Sequence, residues 1–238
     1  NISTAKKYYK TQKDEHDLLK KFNLILAKTR EDIVNKAIKL KKKILIFDDG
    51  LQDRYVDYDL KFVCFDADKW IGNGRLIPSG PLREKLESLN KYDAVFIKSR
   101  KKVDGYLIKS IKKINPKMKI FFTRYKVINS KKFNKNNNFL IFSGIGNTDD
   151  FKKTLIKNKF KIVKEITYPD HYKYKNKDIE EIKNQAKNIN AKIITSEKDY
   201  VKVKKFDKKN IKFLKTSLII QNEKELFNFI KSNFYETN

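Results

Sequence analysis

Ile44-Leu45-Ile46-Phe47-Asp48-Asp49-Gly50 decides how this chain is read. Four apolar residues between Lys43 and an Asp-Asp-Gly turn form a run too short for a helix and apolar on both faces. Such runs are the buried strands of parallel sheets. Ligands of open α/β sheets bind beyond the carboxyl ends of their strands. Two carboxylates there offer the hard oxygen donors that Mg²⁺ takes together with phosphate oxygens, and Gly50 permits the sharp turn that aims them outward. The shape is that of a Walker B element. Acids at a strand exit also cap ordinary turns, and the strand with its two acids leaves both readings open.

Outward from this stretch, short apolar runs alternate with amphipathic ones. Phe22–Ala27, Lys43–Phe47, Lys61–Phe65, Ala94–Ile97 and Lys119–Phe122 read as strands, and Glu31–Lys42, Leu82–Lys91 and Val103–Ile114 as helices. Asp14–Lys21 reads as a further helix. Asn1 to Lys10 is polar and basic, without a hydrophobic stretch. Lys126–Asn138 is rich in Asn and Lys and reads as a connector. The alternation then restarts, with strands at Phe139–Phe142, Lys161–Thr167, Lys192–Thr195, Ile211–Leu214 and Leu218–Ile220. Helices are expected from about Asp149, over Asp178–Asn188 and over Glu223–Ser232. The pattern predicts an α/β protein of two units with mostly parallel sheets: residues 1–124, a linker over 125–138, and a smaller Rossmann-like unit over 139–238.

Composition narrows the classes. In 238 residues, 39% hydrophobic and 13% aromatic suffice for a packed core, which excludes wholesale disorder. With 56 Lys and Arg against 29 Asp and Glu, the net charge is +27. That field attracts nucleic acid, anionic membranes or phosphorylated ligands. Lysine is nevertheless spread along the whole chain among many Asn and Ile, the mark of an AT-rich coding bias. Cys64 is the single cysteine, so no internal disulfide or cysteine metal cluster can form. The residues given contain no run of 18 apolar residues and no signal-peptide pattern. The first residue is Asn1 and not Met, which suggests that sequence precedes it.

The most constrained segment is Gly72-Asn73-Gly74-Arg75-Leu76-Ile77-Pro78-Ser79-Gly80-Pro81-Leu82-Arg83-Glu84. Its glycines and prolines fix the backbone more tightly than a mere connector needs. Arg83 and Glu84 then open the expected helix, where backbone N–H groups and a guanidinium can bind an anion together.

This loop and the motifs around it resemble the tetraacyldisaccharide 4′-kinase (lipid A 4′-kinase) family of Gram-negative bacteria, over almost the whole chain and in the family's order. Asp48-Asp49-Gly50-Leu51-Gln52 is similar to the family's Asp-Asp-Gly-Phe-Gln, and the segment from Gly72 to Glu84 to its most distinctive loop. Lys13-Asp14-Glu15 resembles Gly-Asp-Glu, with Lys in place of Gly. Gly144-Ile145-Gly146-Asn147, Asp170-His171 and Ser196-Glu197-Lys198-Asp199 resemble motifs of the second domain. Asp53 stands where the family often has His.

The resemblance implies a phosphate-loop-kinase-like first domain, ATP and Mg²⁺ as cofactors, and transfer of the γ-phosphate to the 4′-hydroxyl of a lipid A disaccharide 1-phosphate. Asp14 would accept the hydroxyl proton and His171 would pair with it. Asp48 and Asp49 would hold the metal, and Asn73, Ser79, Arg83 and Glu84 would line the substrate side. The enzyme would work at an anionic membrane surface, peripheral to the cytoplasmic face of the inner membrane, with no nucleic acid as partner. Read alone, Asp14 is a plain helix-start acid, while His171 can also be a loop histidine held by Asp170, and Lys198 and Asp199 surface charges.

One element is missing from these residues. Phosphate-loop kinases need Gly-x-x-x-x-Gly-Lys-Ser/Thr, and none of the seven glycines, at 50, 72, 74, 80, 105, 144 and 146, belongs to such a motif. In the family that loop precedes the Asp-Glu motif, so an N-terminally truncated chain is expected. Two alternatives stand beside the kinase: a non-catalytic relative that binds a lipid-sugar, and a basic nucleic-acid-binding protein. The second lacks an exposed aromatic-basic sheet motif.

Overall fold

The strand that ends in Asp48 forms as β3 (Ile44–Phe47) and pairs with a strand that the sequence pattern conceals. This is β1 (Ile2–Lys7), the middle of a parallel sheet of order β2-β1-β3 with β2 (Ile25–Ala27). The polar, basic character of this stretch gives no expectation of a strand, yet Ile2–Lys7 forms one. Flanked on both edges, β1 buries Ser3, Ala5 and Lys6, and small or ion-paired residues fill a site where apolar alternation would ordinarily betray a strand. A computed structural model describes residues 2–9, 16, 19–53 and 55–235 of the chain. Of the helix expected over 14–21, residues 14, 15, 17 and 18 lie outside the described residues, Asp14 among them.

Thr29 caps α1 (Arg30–Lys39), its Oγ1 accepting the Asp32 N–H at 3.1 Å, with Glu31 and Asp32 in the first turn. Ile33 and Ala37 face inward onto Ala5, Ile25 and Ala27. The strand expected from Phe22 starts only at Ile25, because Lys20–Phe22 makes a 3₁₀ turn that ends at Asn23 in a left-handed conformation (φ 54°).

By its internal contacts the chain forms two compact units, each discontinuous in sequence: residues 1–55 with 127–217, and residues 56–126 with 218–238. Besides the β1 sheet, the first unit holds a four-stranded parallel sheet of order β10-β9-β7-β8. Its strands are β7 (Asn138–Ser143), β8 (Lys161–Thr167), β9 (Ala191–Ser196) and β10 (Ile211–Leu214). The helices α2 (Gly105–Ile114), which belongs to the second unit, and α3 (Thr148–Lys157), α4 (Asn176–Asn188) and α5 (Glu197–Lys202) follow in chain order. β7 is buried on both faces: Phe139 and Ile141 join one core with Phe151 and Leu155 of α3, while Leu140 and Phe142 join another with Ile179 and Ile182 of α4. The order β8-β7-β9-β10 reverses direction between β7 and β9, the position at which doubly wound sheets bind ligands. The expected connector is partly structured: Phe133 packs against Phe139 and Phe160, and Asn129 Nδ2 donates to the Phe213 carbonyl at 2.9 Å.

The second unit is a sheet of order β11-β6-β5-β4, with β4 (Phe62–Asp66), β5 (Ala94–Lys98), β6 (Lys119–Val127) and β11 (Thr216–Ile220). β4, β5 and β6 are parallel. The helix α6 (Glu223–Tyr235) sets Phe229 against Phe62 and Phe121, and on the other face Leu107 and Ile111 of α2 pack with Val95 and Ile97. The helix expected over 82–91 is shorter: only Leu86–Lys91 turns, as 3₁₀. Leu82 is held in a bridge to Leu76, its N–H donating to the Arg75 carbonyl at 3.2 Å, and Lys85 is extended. The loop has taken the backbone groups that a helix would have used.

Candidate active site

At the carboxyl end of β3 the Asp48 N–H still donates to the Ala5 carbonyl (2.9 Å), so this residue is fixed by the sheet, and its side chain, about half exposed, pairs with Lys6 Nζ at 2.5 Å. Asp49 follows in a left-handed conformation (φ 57°) and is exposed, while Gly50 is buried beneath the turn. Arg30, the first residue of α1, spans this turn. Its Nη2 donates to the Asp49 carbonyl and its Nη1 to Asp53 Oδ2 at 2.6 Å. The Tyr55 N–H, then the Arg30 guanidinium, hold the Asp53 carboxyl below the usual carboxylate range. The two acids are therefore presented to solvent on a braced turn. They fit a divalent cation that keeps water and phosphate oxygens as its other ligands; no cluster of three or more metal-binding side chains occurs among the described residues.

The loop from Gly72 to Glu84 is tied to itself. Asn73 Oδ1 accepts the Arg75 N–H at 3.1 Å, and Asn73 Nδ2 donates to the Ser79 carbonyl at 2.8 Å. A Cβ on Gly80 would collide with Asn73 Oδ1 and the Arg75 carbonyl, and one on Gly72 (φ 57°) would come within 2.8 Å of Pro81. Both Glu84 oxygens accept from the Tyr92 hydroxyl at 2.8 Å. Burial, then the bond and charge of Glu84, push the Tyr92 phenol up to about 12. Arg83 is exposed beside it.

The third group lies at the switch between β7 and β9. His171, with a left-handed backbone (φ 59°), donates its N–H to Asp170 Oδ1 at 2.8 Å, and its Nε2 stands 3.9 Å from Asp170 Oδ2. Lys198 Nζ approaches the same carboxylate at 3.9 Å. A Cβ on Gly146 would stand 2.8 Å from Asp170 Oδ2, and one on Gly144 would stand 3.1 Å from the Pro169 carbonyl. The motifs predicted at 144–147, 170–171 and 196–199 thus converge on one sheet edge.

A family model described as tetraacyldisaccharide-1-P 4′-kinase matches residues 9–235. The chain belongs to this kinase family. A tetraacyldisaccharide 4′-kinase of Pelagibacter ubique is 44% identical over 230 residues, covering 96% of this chain and 73% of that protein. The Rickettsia typhi enzyme of the same name is 35% identical over 191 residues, 79% of this chain; this chain matches 58% of the Rickettsia protein's length. The fold is also that of LpxK from Aquifex aeolicus, whose crystal structure in complex with ATP superposes with a TM-score of 0.71 at 21% identity, covering 99% of this chain and 79% of that one.

Within this kinase family's frame, three residues of the site escape sequence reasoning. Lys6 pairs with Asp48 from a strand without apolar alternation. Arg30 braces the Asp49 turn from a helix start. Tyr92 holds Glu84 across eight residues. Only the acid that each serves left a signal in the sequence.

Proposed function

We propose that the chain is the greater part of a kinase that phosphorylates the 4′-hydroxyl of tetraacyldisaccharide 1-phosphate at the expense of ATP. The observation that carries this reading is the pair Asp48–Asp49, presented at the end of β3 within a family match that spans residues 9–235. A magnesium ion held by Asp48 and Asp49 would supply the charge neutralisation that phosphoryl transfer requires. Asp14 accepts the proton of the sugar hydroxyl, and His171 pairs with Asp14 and strengthens it as a base. Arg83 and Glu84, on the loop that Asn73 and Ser79 tie together, line the substrate side. The β- and γ-phosphates need the N–H cradle and lysine of a phosphate loop, and none of the glycines of these residues stands in such a motif. The chain spans 73% of the length of the Pelagibacter relative and 58% of the Rickettsia typhi one.

The partner surface is the anionic leaflet on the cytoplasmic face of the inner membrane. The +27 charge favours it, and no helix among the described residues is long and apolar enough to cross a membrane. The test is transfer of labelled phosphate from ATP to tetraacyldisaccharide 1-phosphate by the complete gene product. Asp48→Asn and Asp49→Asn are each expected to raise the Mg²⁺ concentration needed for half-maximal rate. Absence of labelled product overturns the reaction; an unchanged magnesium requirement overturns the metal assignment.

A further inference from the structure

The segment Ser196–Asp199 has no part in the proposed reaction, yet it builds the most deeply buried charged pair among the described residues. Asp199 is fully buried. It accepts from the Ser196 hydroxyl at 2.6 Å and from Lys202 Nζ at 3.2 Å. Lys202, only 8% exposed, spends a second proton on the Gly144 carbonyl at 3.0 Å. A lysine so placed is not a solvated surface charge: its amine bridges the carboxyl ends of β7 and β9, where this sheet order would otherwise leave a crevice.

Gly144 is the point through which the bridge acts on its surroundings. A Cβ there would meet the Pro169 carbonyl, the Tyr174 hydroxyl and Tyr172 Cβ, all at 3.1 to 3.2 Å. Two residues on, Gly146 lies against the Asp170 carboxylate that fixes the His171 N–H. The turn after β7 therefore lies close against the loop that carries His171 at both Gly144 and Gly146, and Lys202 holds the first of these by its carbonyl.

We propose that Lys202, charge-balanced by Asp199, is a positioning residue for His171. It touches no reacting atom. It fixes the Gly144–Gly146 turn, and the turn fixes Asp170 and the backbone of His171. The inference rests on the role proposed above for His171, and its test separates the two.

In the complete kinase, Lys202→Met leaves Asp199 without its cation and can unfold the protein. The double change Asp199→Asn with Lys202→Met removes both charges, and Lys202→Arg restores a cation. Expected are an unchanged melting temperature for the double variant, a fall in kcat of about tenfold or more, and a KM for ATP within about twofold of wild type. Lys202→Arg recovers most of the rate, and in a His171→Ala background the double change costs little further. An unchanged kcat in a folded double variant, or a loss that multiplies in full with that of His171→Ala, overturns the proposal. Amide exchange at His171 is the readout independent of the reaction. If His171→Ala leaves kcat intact, the catalytic reading of His171 falls. Faster exchange in the double variant then upholds the tether, and unchanged exchange overturns it.

Discussion

Asp53 accepts a hydrogen bond from Arg30 at 2.6 Å, both side chains little more than a tenth exposed, while the same guanidinium donates to the carbonyl of Asp49. One cation at the start of α1 thus sets the backbone of a residue assigned to the metal. Arg30→Ala is expected to cost about 1.5–3 kcal/mol, the range for hydrogen bonds to charged groups, read by chemical denaturation. Arg30→Lys, which cannot make both bonds in the same geometry, recovers only part of it.

The same pair has a pH signature. The Asp53 carboxyl is held low by the Tyr55 N–H and then by Arg30. A depressed folded pKa contributes stability that is present above the unfolded value of about 4 and disappears as pH falls through the folded value. Wild-type stability should therefore decline more steeply than that of Asp53→Asn as pH falls from about 5 toward 2, measured by denaturation midpoints across that range.

Glu84→Gln removes the charge facing the Tyr92 hydroxyl. Since burial and then Glu84 raise that phenol to about 12, the substitution should move it toward the ordinary value of about 10, with burial keeping part of the rise. The check is the tyrosinate absorbance titration, with Tyr92→Phe as the blank that identifies the band.

Gly80→Ala places a methyl group against Asn73 Oδ1 and the Arg75 carbonyl. The backbone clash forces the loop open, and both Asn73 hydrogen bonds go with it, a loss of about 1 kcal/mol each. Limited proteolysis between Gly72 and Glu84 should become faster, whereas Gly105→Ala, which meets nothing, leaves the digestion pattern unaltered.

For the complete kinase, Asp14→Ala and His171→Ala should each lower kcat by orders of magnitude, and the double change should add little, as residues acting as a unit do. Steady-state kinetics of the four proteins closes the cycle; fully additive losses would remove the pair from the mechanism.

Much of this architecture is legible in the residues, and the exceptions have physical causes. β7 announces itself because a strand covered on both faces needs side chains that are apolar at every position; β3 carries the same unbroken apolar run although Ile46 is exposed. β1 does not, because a central strand of three can bury Ser3 and Ala5 and neutralise Lys6 with Asp48. The 82–91 segment has helical spacing, but Leu82 is captured by Leu76 and Arg75, a competition that periodicity cannot register. In the site, Asp48, Asp49 and His171 stand in recognisable motifs. Their supports Lys6, Arg30 and Lys202 are joined to them by pairings that exist only after folding, such as that of Lys202 with Gly144, 58 positions earlier in the chain.

The sheet formed by β4, β5 and β6 is completed by β11 and covered by α6, whose Phe229 meets Phe62 and Phe121. Synthesis runs from the N-terminus, so residues 56–126 leave the ribosome long before 218–238. Until those arrive, β6 presents an unpaired edge beside aromatic rings with nothing over them, a surface prone to pair with another nascent chain. The intervening residues 127–217 meanwhile contain all of the β7–β10 sheet and can close on themselves. The order of translation thus imposes an order of assembly, in which the β4–β6 sheet is begun before the β7–β10 sheet and finished after it, and a stall or a stop codon shortly after residue 217 would strand it half built.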